Sequence, residues 1–142
     1  MKTHAFRLTK GMDLLNSIKD FCEKNNILAG VVISSVGSVL QTKVRTESTE
    51  KIVELIEEME ITSLNGTVSK NRCHLHILLS RADASVLGGH LVREGGTIIN
   101  TTCEIVILEL DNLEFDKEFD DNTGYNELKI IQNQSRNKKE KK

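Results

Sequence analysis

The sequence predicts a single α+β domain with a mostly antiparallel sheet and one main helix. The chain has 142 residues, near the usual size of one domain, and shows no internal repeat or linker. Most of its apolar segments are short runs rich in Val and Ile, joined by polar turns, and one early segment has clear helical spacing. A chain of this length buries roughly 68–70% of its unfolded surface, so it can form a core without disulfides.

The first two elements follow from side-chain periodicity. Residues 3–8 alternate polar and apolar side chains, with Ala5 as the weakest position, and predict a strand that ends before Gly11. The next apolar residues recur every three or four positions, which predicts an amphipathic helix over about residues 13–24. These apolar residues are Met12, Leu15, Ile18, Phe21 and Cys22.

The middle of the chain predicts a long extended segment. Residues 27–40 are rich in Val, Ile and Gly and predict a buried strand with a kink at Gly37. Residues 41–46 alternate and continue in extended form.

Residues 51–60 allow two interpretations. Their apolar positions fit a helical stripe, yet the segment could equally be a strand that leads into residues 60–64. The pair Asn65-Gly66 is typical of a turn or a bulge.

A hairpin is predicted next. Residues 74–79 form a clear strand, residues 81–84 a turn, and residues 85–91 the returning strand, which Gly88-Gly89 interrupts.

The last elements follow a second glycine pair. Gly95-Gly96 predicts a turn before a long strand over residues 97–110. Residues 111–125 are acidic and predict a loop, and residues 127–131 predict a short strand.

Cysteine usage and apolar length predict the compartment. Cys22, Cys73 and Cys103 are an odd number without a C-x-x-C pair, which favours free thiols in a reducing environment. No apolar stretch at the N-terminus is long enough for a signal peptide, and the longest uncharged run is shorter than the ~20 residues that span a bilayer. We expect a cytoplasmic protein without membrane contact.

Charge is unevenly distributed along the chain. The net charge is −2, but the last eight residues carry five basic and one acidic residue, which leaves −6 for the remainder. An acidic domain does not attract nucleic-acid phosphates. We expect residues 1–132 to form the domain and residues 133–142 a disordered basic tail, with weak nucleic-acid binding by the tail as the less favoured alternative.

His74 and His76 are the first candidates for chemistry. Residues i and i+2 of a strand point to the same face, so these imidazoles project side by side while Leu75 and Ile77 face the core. Two imidazoles held in this way can ligate one metal ion. The alternative is a row of surface histidines.

His90 joins them only in one register. A four-residue turn would place it opposite Leu75, on the wrong face. One extra residue at Gly88-Gly89 would bring it opposite His76, and glycine pairs favour such bulges. Three protein ligands would suit Zn²⁺ above Ni²⁺, Cu²⁺ or Fe²⁺ and leave a position open for water, as in catalytic zinc sites.

Other catalytic patterns are weak. Glu104, on a nearby predicted strand, could orient a water but is more simply a solvent-facing residue. No phosphate-binding glycine loop or nucleophile elbow occurs. Cys73 and His74 point to opposite faces, Cys103 is predicted in the core, and His4 stands alone.

The hairpin sequence resembles the plants-and-prokaryotes-conserved (PPC) domain family. The resemblance rests on residues 74–80, Ala82-Asp83 and residues 86–91, and it extends over about residues 3–130. Further matching segments are residues 10–14, 29–32, 35–38, 60–67, 102–105 and 123–128.

This resemblance implies an α+β fold, a homotrimer, a strand at residues 52–59, and a metal, usually taken as zinc, bound by His74, His76 and His90. Plant members carry an Arg-Gly-Arg-Pro AT-hook for DNA, but this chain has no Pro. Where the plant partner-binding segment begins Gly-Arg, this chain has Glu57-Glu58.

Three functions are therefore open. The first is a non-enzymatic, trimeric, metal-binding module with a regulatory or DNA-associated role. The second is a zinc-dependent enzyme acting on a small molecule, and the third is DNA binding through the basic tail.

Overall fold

The computed structural model describes residues 1–47 and 51–133. These residues contain nine strands and one helix. In chain order they are β1 (Lys2–Thr9), α1 (Leu14–Lys24), β2 (Gly30–Arg45), β3 (Ile52–Leu55), β4 (Met59–Val68), β5 (Cys73–Ser80), β6 (Val86–Leu91), β7 (Ile98–Glu109), β8 (Leu113–Asp120) and β9 (Tyr125–Gln132). The predicted basic tail from residue 134 onward lies outside this part of the chain.

Seven strands form one sheet in the order β1-β7-β2-β4-β5-β6, and β3 pairs with β2. All of these pairings are antiparallel. The end of β2 also pairs with β6, through Val44 with Leu91 and Arg45 with His90. Strands β2, β4, β5 and β6 therefore form a closed ring of pairings. The mostly antiparallel sheet and the helix confirm the predicted elements, although strands dominate the described residues.

Helix α1 covers one face of the sheet. Asp13 caps it, because one carboxylate oxygen accepts from the backbone N of Asn16 at 3.0 Å while the other accepts from the backbone N of Gly96 at 2.7 Å. The helix packs into the core through its apolar stripe, as its spacing predicts. The buried helical residues are Leu14, Leu15, Ile18 and Cys22. They meet Ile and Leu side chains from β5 and β7, among them Leu75, Ile77, Ile105 and Ile107.

Strand β2 lies within the extended segment predicted over residues 27–46, but it is less buried than predicted. It runs from Gly30 through Arg45, with register shifts on either side of Val39, near the kink expected at Gly37. A Cβ at Gly37 would collide with the backbone of β7, so close approach of the two strands requires glycine there. Ile33 and Val36 are more than half exposed, so the segment is not the fully buried strand that its composition suggests.

Residues 51–60 hold strands. The structure places β3 at Ile52–Leu55 and starts β4 at Met59, so the helical interpretation is wrong, and the strand that the family resemblance implies over residues 52–59 is present but interrupted at residues 56–58. Asn65-Gly66 is not a turn, because both residues lie inside β4 opposite His76 and Leu75. Glycine is needed at position 66 for a different reason, since a Cβ there would collide with the carbonyl of His74.

The predicted acidic loop is wrong. Residues 113–132 form a two-stranded antiparallel ribbon of β8 and β9, joined by a turn at Gly124. The backbone N of Phe115 donates to Leu28 O at 2.8 Å, and Ser69 Oγ donates to Phe115 O at 2.8 Å. Phe115 is buried, so it anchors the ribbon to the sheet.

No helix in the described part of the chain is long and apolar enough to cross a membrane. All three cysteines are free thiols. Cys103 is fully buried, as predicted for a core residue.

Candidate metal centre

His74, His76 and His90 lie on two neighbouring strands. His74 and His76 are two residues apart on β5, and Leu75 and Ile77 between and beside them are buried. His90 on β6 pairs directly with His76. The predicted convergence of the three imidazoles is therefore present.

The register arises from the turn rather than from a bulge. Residues 81–85 form a five-residue loop, in which the backbone N of Arg81 donates to Ser85 O at 2.9 Å and Ala84 has a positive φ of 67°. Pairing then runs without interruption from Ser80–Val86 to His76–His90. The four-residue turn and the bulge at Gly88-Gly89 are both wrong. Gly88 instead allows close contact with the backbone of β5, where a Cβ would collide with the carbonyl of Ile77.

The imidazole nitrogens are close enough to share one ion. Nε2 of His74 and Nε2 of His76 are 3.2 Å apart, and one nitrogen from each of the three residues lies within 4.8 Å of the others. Two nitrogens bound to a tetrahedral Zn²⁺ at 2.0–2.1 Å are separated by about 3.3 Å. The pair on β5 already has this spacing, and the ring centre of His90 lies 4.7 Å from that of His74 and 5.3 Å from that of His76. The residues present therefore fit a three-histidine metal site.

Two of the three rings favour the neutral form that a metal requires. Burial, together with the neighbouring His74 and Arg45, lowers the pKa of His90 to about 4. Burial also lowers the pKa of His74, with Arg72 and His76 acting in the same direction. At neutral pH both imidazoles keep a free lone pair.

Arg72 sets the hydrogen-bond direction in the cluster. Its Nη2 lies 3.4 Å from Nδ1 of His74, and a guanidinium can only donate. Nε2 of His74 then carries the proton and donates to Nε2 of His76. A metal on Nε2 of His74 requires the opposite tautomer, so binding must displace this contact with Arg72.

The histidines open into a cleft of about 650 Å³ between the sheet and the ribbon. Arg45 and Glu47 line it from the end of β2, and Tyr125 and Glu127 line it from β9. The guanidinium carbon of Arg45 lies 6.0 Å from the centre of the Tyr125 ring. Sequence reasoning missed these lining residues, because no local pattern shows that the segment after residue 111 folds back over the hairpin.

Several sequence candidates lie elsewhere. Glu104 is exposed on β7, paired in register with Arg7 and Val36, and it does not line the cleft. His4 is buried, and its Nε2 is 3.0 Å from a carboxylate oxygen of Glu109, so its role is structural. Cys73 points away from His74 and packs against the core, where its thiol contacts that of Cys22.

Comparison with known proteins identifies the family. Residues 1–111 match the Plants and Prokaryotes Conserved (PCC) domain. The chain belongs to this family, which is the PPC family that its sequence resembles. A curated relative, the bifunctional protein GlmU of a Synechococcus strain, is 34% identical over 130 residues. That match covers 92% of this chain but only 21% of the relative, so this PCC chain spans about a fifth of the length of that protein.

Three similar solved structures have the same fold. A protein from Salmonella enterica superposes with a TM-score of 0.87 at 31% identity, covering 92% of this chain and 94% of that one. A metal-containing protein from Archaeoglobus fulgidus superposes with a TM-score of 0.75 at 32% identity, and the match covers 91% of this chain and 94% of that one. A plant- and prokaryote-conserved protein from Pyrococcus horikoshii superposes with a TM-score of 0.75 at 27% identity, and the match covers 91% of this chain and 92% of that one.

Proposed function

We propose that this PCC protein binds one Zn²⁺ per chain through His74, His76 and His90 and acts as a non-enzymatic module. The observation that supports this most directly is the 3.2 Å separation of two Nε2 atoms beside a third imidazole on the adjacent strand. Imidazole suits Zn²⁺, and three imidazoles held by a sheet are a sufficient ligand set.

A similar solved structure supports the same proposal. The Archaeoglobus fulgidus protein, 32% identical over most of both chains, is described as metal-containing. The lowered pKa values of His74 and His90 add a chemical reason, because protons compete weakly with a metal for these nitrogens at pH 7.

Metal content of protein purified without a histidine tag tests the proposal. We expect about one zinc per wild-type chain and almost none in His76→Ala. His4→Gln is the matched control, because it removes the histidine outside the cluster, and it should retain the metal. Wild-type protein that stays metal-free after incubation with Zn²⁺ would contradict the proposal.

We propose further that the protein is a homotrimer. Apolar side chains on several strands are exposed in the single chain, including Ile33 and Val36 on β2 and Val86 on β6. Surfaces of this kind are typical of association sites. Light scattering should give three times the mass of the 142-residue chain. A monomer at micromolar concentration would refute the trimer without affecting the metal site.

A zinc-dependent enzyme is the second candidate, and Glu127 favours it. This exposed carboxylate lines the same cleft as the three histidines and could accept a proton from a substrate there. Zinc would supply Lewis-acid chemistry when bound. Hydrolysis that depends on added Zn²⁺ and falls at least tenfold in both His76→Ala and Glu127→Gln would favour the enzyme over the module.

A DNA-associated role is the third candidate and rests on the basic residues at positions 136–142. Duplex binding that weakens steeply with salt and disappears when residues 135–142 are removed would support it. Absence of binding at low salt would exclude it.

A further inference from the structure

Two arginines face the histidine cluster. Arg45 pairs with His90 in the ladder between β2 and β6, and its guanidinium lies within the cleft beside Tyr125. Arg72 approaches His74 from the other side, at 3.4 Å. Permanent cations next to a site for a divalent cation oppose metal binding by Coulomb repulsion.

The acidic residues of the cleft offset this charge only in part. Glu47 and Glu127 contribute two negative charges, while Arg45, Arg72 and a divalent ion would together contribute four positive charges. Neither Glu47 nor Glu127 makes a side-chain hydrogen bond to Arg45 among the described contacts. The guanidinium of Arg45 therefore keeps donors free for an anion from solution.

We infer that the cleft binds a small ligand through an anionic oxygen group, which the metal and the guanidinium of Arg45 hold together beside the ring of Tyr125. This inference rests on the proposed metal site and names the ligand class of that site. Three protein ligands leave a coordination position for such an oxygen. A guanidinium binds carboxylate or phosphate through parallel N–H donors. The volume of about 650 Å³ suits a small molecule.

Cobalt(II) in place of zinc makes the test visible, because the absorption bands of protein-bound Co²⁺ change when an oxygen ligand enters its coordination sphere. Acetate and inorganic phosphate would be titrated in separate arms into the Co²⁺-loaded wild-type protein. We expect a saturable spectral change with at least one anion. The anion that saturates the change at the lower concentration shows whether the cleft prefers a carboxylate or a phosphate group. By thermodynamic linkage, Co²⁺ should tighten anion binding and the anion should tighten Co²⁺ binding by the same factor, on the order of five- to 150-fold.

Variants separate Arg45 from general charge effects. Arg45→Gln should weaken the anion titration at least tenfold while Co²⁺ still binds. Arg7→Gln removes the same charge from β1, where Arg7 donates to Thr102 Oγ1 at 2.8 Å outside the cleft, and it should titrate like wild type. If Arg45→Gln does not fold, Arg45→Lys replaces it, because it keeps the positive charge but loses the paired N–H donors, and it should also weaken the anion titration.

The outcomes also separate the two proposals. Absence of the bound-Co²⁺ spectrum in wild-type protein overturns the metal site and this inference with it. A bound-Co²⁺ spectrum that neither anion alters, together with a Co²⁺ affinity that neither anion changes, overturns the inference and leaves the metal site standing. An anion effect that is unchanged in Arg45→Gln also overturns it.

Discussion

The β5–β6 hairpin and the β8–β9 ribbon are both two-stranded antiparallel units, but they are held in opposite ways. In the hairpin, every second residue of β5 from Leu75 to Leu79 is buried, and β4 and β2 flank its two edges. In the ribbon, Phe115 is the one buried residue, and Phe119 and Tyr125 are about 60% exposed. The comparison shows that the hairpin holds its three imidazoles on a rigid sheet, whereas the ribbon covers them and is attached through one buried residue, Phe115.

The largest expected effect contrasts glycines in the two units. Gly88→Ala places a Cβ against the carbonyl of Ile77 and a methyl of Leu78, and we expect it to lower the free energy of unfolding by about 3 kcal/mol. In Gly124→Ala, in the ribbon turn, the added Cβ meets no atom within 4 Å. Its only cost is the strain of a non-glycine residue at a φ of 78°, which should lower the free energy of unfolding by about 1 kcal/mol. Urea unfolding of both variants measures the difference, and equal losses would contradict the contrast.

The next effect concerns the anchor of the ribbon. Phe115→Ala removes its buried ring, and we expect loss of amide-exchange protection over residues 113–132 while the hairpin stays protected. The local cost should be about 3 kcal/mol. Phe119→Ala is the matched control, since that ring is 61% exposed, and it should change stability by less than about 0.5 kcal/mol. Loss of hairpin protection in Phe115→Ala would show that the two units unfold together.

The smallest effect is a pH dependence confined to the hairpin. Burial and the neighbouring His74 and Arg45 lower the pKa of His90 to about 4, whereas the unfolded chain has the ordinary value near 6.5. Between these values the unfolded state binds more protons, so the stability of the metal-free protein should be full above about pH 6.5 and fall as the pH drops toward 4. Urea midpoints across this range should fall less in His90→Gln than in wild type. Identical slopes would mean that His90 is not held neutral by the fold.

The same contrast explains what the sequence could and could not reveal. The i, i+2 spacing of His74 and His76 and the apolar stripe of the helix are local patterns, and both predictions are confirmed. The opposition of His76 and His90 is also present, although it comes from a five-residue loop instead of the predicted bulge. That loop depends on Ala84 adopting a positive φ, for which alanine gives no sequence signal.

Only the second strand of the ribbon was predicted, over residues 127–131, because the two strands bury almost nothing. With one buried residue in β8, the acidic side chains leave no alternating apolar face, so periodicity indicates a loop. The contribution of Tyr125 and Glu127 to the cleft depends on a contact over some fifty residues of chain, which no local pattern records. Gly66 and Gly88 are similar cases, since close approach of a neighbouring backbone explains them better than a turn or bulge does.

The closed ring of β2, β4, β5 and β6 has a consequence for how metal and folding are coupled. Strand β6 hydrogen-bonds to β5 on one side and to the end of β2 on the other, so neither neighbour of His90 depends on an ion. In small zinc-dependent domains the free energy of metal binding is the free energy of folding, and chelators unfold them. Here the ligand spacing is built by the backbone itself. A chelator added to protein loaded with Zn²⁺ at the proposed site should therefore remove the metal and leave the circular dichroism spectrum of the sheet unchanged.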